Sequence, residues 1–141
     1  MKVLAFMMTP NFGLLPTKED VDRYMTDQVF HQKILLQSMS GIRLRQAFGP
    51  YFNEIWWDNV DPRGTGVDRR HIDRVIAEQR PDLVLTFGKY ADEPVNKSVM
   101  VIRLKCMSCH HPNARFKSQA DLDNFAQGVR TWIAVQEREA D

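Results

Sequence analysis

The order of elements along the chain predicts a three-layer α/β/α domain built on a four-stranded parallel sheet. Short apolar runs that read as buried strands alternate with stretches of helical periodicity, the pattern of a parallel sheet covered by helices on both faces. The chain has 141 residues, of which 43% are hydrophobic and 26% charged. That suits a globular domain able to bury a core without disulfides or structural metal. Residues 1–141 are therefore read as a single domain.

The run Val3–Met8, ended by Thr9-Pro10-Asn11-Phe12-Gly13, reads as the first strand feeding a loop. Thr17 to Leu36 has helix character, with Thr17 as N-cap and Asp20 three residues later. Ser40 precedes a second helical stretch carrying Ile42, Leu44, Ala47 and Phe48, stopped by Gly49-Pro50. Glu54–Val60 is the second strand, in which Trp56 and Trp57 alternate faces so that at least one is core. Asp68–Arg80 is a helix with Ile72, Val75 and Ile76 on one side, and Leu83–Phe87 is the third strand. Gly88 ends that strand, a short helix follows to Asp92, and Val99–Leu104 reads as the fourth strand. The last helix, Ser118 to Glu137, repeats Leu122, Phe125, Val129, Trp132 and Ile133 at helical spacing.

Charge and composition exclude several classes. The formal net charge of +1 shows no global basic field, although a local basic groove remains compatible with it. The apolar run near the N-terminus is short and meets Pro10, so no signal peptide is expected, and no apolar stretch approaches the roughly 20 residues that cross a bilayer. Two cysteines without a secretory context suit a reducing compartment. The expectation is a cytoplasmic monomer with no membrane partner.

In open parallel sheets, ligands bind beyond the C-terminal ends of the strands. Four polar loops should therefore converge: Thr9–Gly13, Asn59–Gly66, Gly88–Tyr90 and Cys106–Arg115. In the first, Thr9 or Asn11 can hold a water and Phe12 can stack on a planar ligand, against the plainer reading of a strand-to-helix turn. Asn59 offers an acceptor and two donors, the set that reads a pyrimidine edge; the alternative is an Asx-turn. His111, directly before Pro112, has a restricted backbone that aims its imidazole in one direction. There it stabilises negative charge on a leaving group, or else caps backbone carbonyls. Cys106-Met107-Ser108-Cys109-His110 matches the c-type haem attachment pattern, and with His111 also suggests zinc or a redox dithiol. Haem attachment needs export, and Cys106 follows a strand rather than opening a helix, so two unbridged thiols under a loop is the preferred reading; no metal and no cofactor are expected.

Several of these segments together resemble the uracil-DNA glycosylase superfamily. The resemblance rests on Ser40–Leu44, Ile55–Asn59, the stretch Arg80-Pro81-Asp82-Leu83-Val84-Leu85-Thr86-Phe87-Gly88-Lys89-Tyr90-Ala91, and His111-Pro112-Asn113, and covers the chain from Val3 to Ile133. It implies a four-stranded parallel sheet between helices, and a DNA glycosylase that flips out uracil or a modified pyrimidine and hydrolyses its N-glycosidic bond. The context would be base-excision repair or defence against modified phage DNA. By this resemblance Thr9 or Asn11 is the water-positioning residue and His111 the loop histidine. Phe12, Asn59, Gly88 and Asn113 contact the base, while Ala114, Arg115 and Phe116 form the wedge. DNA phosphates fall to Arg63, Lys89, Arg115 and Lys117. The chain departs from the family pattern at three places: Thr9 stands where an acidic residue or Asn is usual, Met7 replaces a Gly, and Asn113 replaces a Ser. It also lacks the four cysteines of the iron–sulfur branch. The alternatives are a non-catalytic nucleic-acid-binding module of the same fold, and a metal or haem protein through Cys106 and Cys109.

Overall fold

The structure, a computed structural model, describes residues 1–114 and 118–140. Four strands, β1 (Val3–Met7), β2 (Ile55–Asn59), β3 (Leu83–Phe87) and β4 (Lys105–Cys109), form one parallel sheet in the order β2-β1-β3-β4. The six helices are α1 (Lys18–Thr26), α2 (Gln28–Leu35), α3 (Met39–Phe48), α4 (Arg69–Gln79), α5 (Lys89–Asn96) and α6 (Gln119–Ala140). Among the described residues no helix is long and apolar enough to cross a membrane.

The pleat divides the strands' side chains between two cores. Val3, Ala5, Met7, Ile55, Trp57, Leu83, Leu85 and Phe87 pack against α3 and α6 through Leu44, Phe48, Leu122, Ala126 and Val129. Leu4, Phe6 and Val84 face the other way, onto Ile72, Val75 and Ile76 of α4 and Ala91 and Val95 of α5. The result is the three-layer α/β/α architecture that the alternation of elements predicts. Trp57 is the tryptophan in the core, while Trp56 is only partly buried on the opposite face.

Four boundaries differ from the sequence reading. The single helix expected over 17–36 is broken at Asp27, whose backbone is extended (φ −114°, ψ 103°) and whose carboxylate accepts from the Phe30 amide at 3.2 Å. An Asp carboxylate competes for backbone donors, and here it ends α1 and caps α2 at once. The cap of α3 lies two residues before Ser40, because Ser38 accepts from the Gly41 amide at 3.0 Å. The fourth strand is not Val99–Leu104 but Lys105–Cys109. Val99–Val101 is a 3₁₀ turn opened by the Ser98 hydroxyl, and its Val99 and Ile102 are 70% and 76% exposed. β4 is an edge strand covered on neither side completely, so its sequence carries little of the apolar signal that marks a buried strand. The short helix after Gly88 also runs on past Asp92 to Asn96, with Pro94 inside it.

Two glycines fix close approaches around the site. A Cβ on Gly41 would lie 1.9 Å from the Leu35 carbonyl oxygen, so only glycine lets α3 cross α2 this closely. Gly88 has φ +91°, and a Cβ there would sit 3.4 Å from the His111 Cβ.

Candidate base-binding site

Parallel pairing aligns the strand ends: Met7 is beside Asn59, and Phe87 beside Cys109. The loops leaving those ends meet over a cavity of about 150 Å³ lined by Thr9, Asn11, Asn59 and His111. The helical side is closed by Tyr24 of α1, Ile34 of α2, Ser38, and Ser40 of α3. A cavity near this size holds a benzene-sized ring, so it admits one planar ring without a sugar.

Asn59 is the distinctive wall of this cavity. Its residue is 2% exposed, its main-chain N–H donates to Asp58 Oδ1 at 2.8 Å, and its side-chain Oδ1 is buried with no hydrogen-bond donor among the described residues. An unsatisfied buried acceptor costs about 1–3 kcal/mol. Such groups are rare in native proteins and mark places where a ligand supplies the missing donor.

His111 closes the opposite side. Its Nδ1 accepts from the Asn113 amide at 3.1 Å, which leaves the proton on Nε2. Burial, together with the neighbouring His110, holds its pKa below the ordinary histidine value, so the ring is neutral at pH 7 and acts as a donor through Nε2. The loop is tied down by Arg43 of α3, whose guanidinium donates to the Pro112 carbonyl at 2.9 Å, and by the Ala114 amide on the His111 carbonyl at 2.9 Å.

Asn11 lines the cavity, but its Oδ1 already accepts from the Gly13 amide at 3.1 Å. Its amide group therefore offers a water a donor rather than a base. Thr9 contributes only a hydroxyl, and among the described residues no carboxylate lines the cavity. Phe12 does not stack over this cavity: its ring packs where a Cβ on Gly64 would come within 2.8 Å, and the cavity's aromatic is Tyr24. Gly88, Lys89 and Ala114 line a second, open groove that shares Met7, Thr9 and His111 with the cavity. Asn113 is exposed and serves through its amide. Arg63 lies along a different groove between α1 and α4, paired with Asp22 at 3.3 Å. Arg115, Phe116 and Lys117 lie outside the described residues. The two thiols do not converge, because Cys106 packs toward α4 and α5 while Cys109 packs toward α3 and α6. Among the described residues no group of three or more His, Cys, Asp and Glu is placed to hold a metal.

Other participants escaped the sequence reading. The break at Asp27 leaves the Tyr24 carbonyl outside the helical ladder, and His31 Nδ1 donates to it at 3.0 Å while its ring stacks on Tyr24 at 3.8 Å. Burial pushes the His31 pKa down to about 4, against smaller upward pulls from Asp58 and the Tyr24 carbonyl; burial also pushes the Tyr24 phenol well above its usual range, so it stays a neutral wall. On the far face of β2, His71 Nε2 donates to Asp58 Oδ1 at 2.7 Å, and Arg74 donates to His71 Nδ1 at 3.0 Å. His31 and His71 sit at helical spacing among apolar residues and read as surface or core positions. Only their packing reveals them.

The depressed pKa of His31 has a measurable consequence. The unfolded chain binds a proton near pH 6.5, whereas the native chain binds it only near pH 4. Stability is therefore full above about pH 6.5 and is lost as the pH falls toward 4, by on the order of 3 kcal/mol. Denaturant midpoints at pH 7 and pH 4.5 should fall further apart for wild type than for His31→Gln. Equal acid losses in both proteins would remove His31 as the cause.

Comparison with known proteins finds no matching family model and no matching curated protein.

Proposed function

We propose that the chain is a DNA glycosylase that takes a flipped pyrimidine into the Asn59–His111 cavity and hydrolyses its bond to the sugar. The observation that carries this reading is the orphaned Oδ1 of Asn59, a residue that lines a ring-sized cavity together with the neutral imidazole of His111. The N3–H of uracil supplies the donor that Oδ1 lacks, and the base carbonyls meet the Asn59 amide and His111 Nε2–H. A cavity this small leaves the sugar outside, as base flipping requires.

The reaction breaks the bond between C1′ and the base nitrogen. The bonding pair leaves with the base, and positive charge develops on the sugar. Water adds to C1′, and the proton it loses ends on the departed base. With no carboxylate lining the cavity among the described residues, water activation contributes little, and the site acts chiefly on the leaving group. Fixed donors aimed at developing negative charge are worth about 10²–10³ each in such sites. Phosphates are served by Lys89 and by the start of α5, which has no side-chain cap at Gly88.

The lack of a carboxylate also favours a second reading, a module that binds a flipped base without cleaving it. One experiment separates them. Purified protein is incubated with oligonucleotides carrying uracil or 5-substituted pyrimidines, in single- and double-stranded form, and strand breaks are read after alkali. The glycosylase reading expects an alkali-labile site with at least one base, reduced about 100-fold or more by His111→Ala. Binding of the same oligonucleotides with no base released from any of them leaves the second reading.

A further inference from the structure

The groove beside the cavity is not needed to hold the target base, yet it has the size of a ligand site. It measures about 630 Å³, within the range of sites that hold whole small molecules, and its shared wall of Met7, Thr9 and His111 makes it continuous with the base cavity. Its outer wall carries Tyr90, 67% exposed, and Met8, 40% exposed. Single exposed apolar side chains are ordinary, but these two line one groove, and Lys89 lines it as well. Tyr90 sits in the first turn of α5, and that turn is held to the sheet: Asp92 accepts from the Thr86 hydroxyl at 2.8 Å and from Ser108. The ring is thus carried on a fixed element at a groove that Lys89 also lines.

We propose that this groove binds the nucleobase adjacent to the target, stacked on Tyr90, and that the preferred substrate is therefore single-stranded DNA. The inference rests on the glycosylase reading of the neighbouring cavity. An aromatic ring beside a cation is the recurring platform for an unpaired base, tolerant of sequence because every base has a π-face. The base next in line to one seated in the Asn59 cavity lies within one nucleotide of the shared wall, and Lys89 complements the phosphate between them. In a duplex that neighbour is paired and stacked, and placing it on Tyr90 adds a second unpairing to the cost of flipping. In a single strand that cost is absent.

The test uses the full chain and single-stranded oligonucleotides with one central uracil. One has ordinary neighbours, one an abasic spacer on the 5′ side, one a spacer on the 3′ side, and the first is also annealed to its complement. Excision and binding by fluorescence anisotropy are measured for wild type, Tyr90→Ala and Tyr90→Phe. With ordinary neighbours, Tyr90→Ala should raise Kd and KM about ten- to a hundredfold, with the loss in KM rather than kcat, and Tyr90→Phe should recover most of it. One spacer oligonucleotide should bind wild type as weakly as the ordinary one binds Tyr90→Ala, with no further loss when the two changes are combined. Wild type should process the single strand faster than the duplex. Binding that ignores Tyr90, penalties that multiply, or a preference for duplex overturns the proposal. Excision without Tyr90 dependence leaves the glycosylase and removes the groove, whereas Tyr90- and spacer-dependent binding without excision keeps the groove as a single-strand site and removes the glycosylase.

Discussion

Replacing Asn59 with leucine is expected to stabilise the protein while removing its proposed activity. The wild-type Oδ1 is buried and lacks a donor among the described residues, and a buried acceptor that the protein leaves unpaired costs about 1–3 kcal/mol. Leucine is close in shape, removes the unsatisfied group, and leaves the backbone bond from the Asn59 amide to Asp58 intact. Denaturant unfolding should therefore give a variant at least as stable as wild type, by up to that amount. Base release should fall about 10²–10³-fold, the usual loss when a fixed polar contact to a developing anion is removed. Opposed signs are the signature of a group kept for a ligand at the expense of the fold. A variant that is both less stable and fully active would show that Asn59 serves the strand and not a base.

Much of the architecture was legible because it rests on strong local signals. Buried strands such as Val3–Met7 and Leu83–Phe87 are apolar on both faces, and Asp68 and Thr17 announce their helices by capping. The fourth strand was misplaced for the converse reason: Lys105–Cys109 is half-covered at an edge, while the apolar residues just before it form an exposed turn. At the site, Thr9, Asn11, Asn59 and His111 were recoverable because chain topology brings strand ends to one edge of the sheet. Phe12 was assigned by proximity in sequence, but its ring is taken up by the backbone at Gly64. Tyr24, Ser38 and Ser40 were not visible because they reach the cavity through the packing of α1, α2 and α3, which local sequence does not encode. That Tyr24 faces inward depends on the break at Asp27, a side chain–backbone competition that periodicity cannot see.

The largest loss of stability is expected on the reverse side of β2, one residue before Asn59. Asp58 is 3% exposed and its carboxylate is held by His71 at 2.7 Å, the Asn59 amide at 2.8 Å and the Trp56 indole at 3.3 Å. His71, 2% exposed, is in turn oriented by Arg74, whose guanidinium can only donate, so Nε2 must carry the proton given to Asp58. Removing a donor to a buried carboxylate costs about 1.5–3 kcal/mol, because the acceptor stays desolvated and loses its partner. His71→Leu should therefore unfold at a much lower denaturant concentration. Adding Asp58→Asn should return part of the loss, since the amide still accepts from the Asn59 N–H but leaves no buried charge behind. The pair also borders the Asn59 backbone, so base release by any folded His71→Leu protein should fall with Asn59 displaced, and a double-mutant cycle separates that coupling from simple unfolding. If His71→Leu costs less than about 1 kcal/mol, or if Asp58→Asn adds its full penalty on top, the buried charge is not what the histidine compensates.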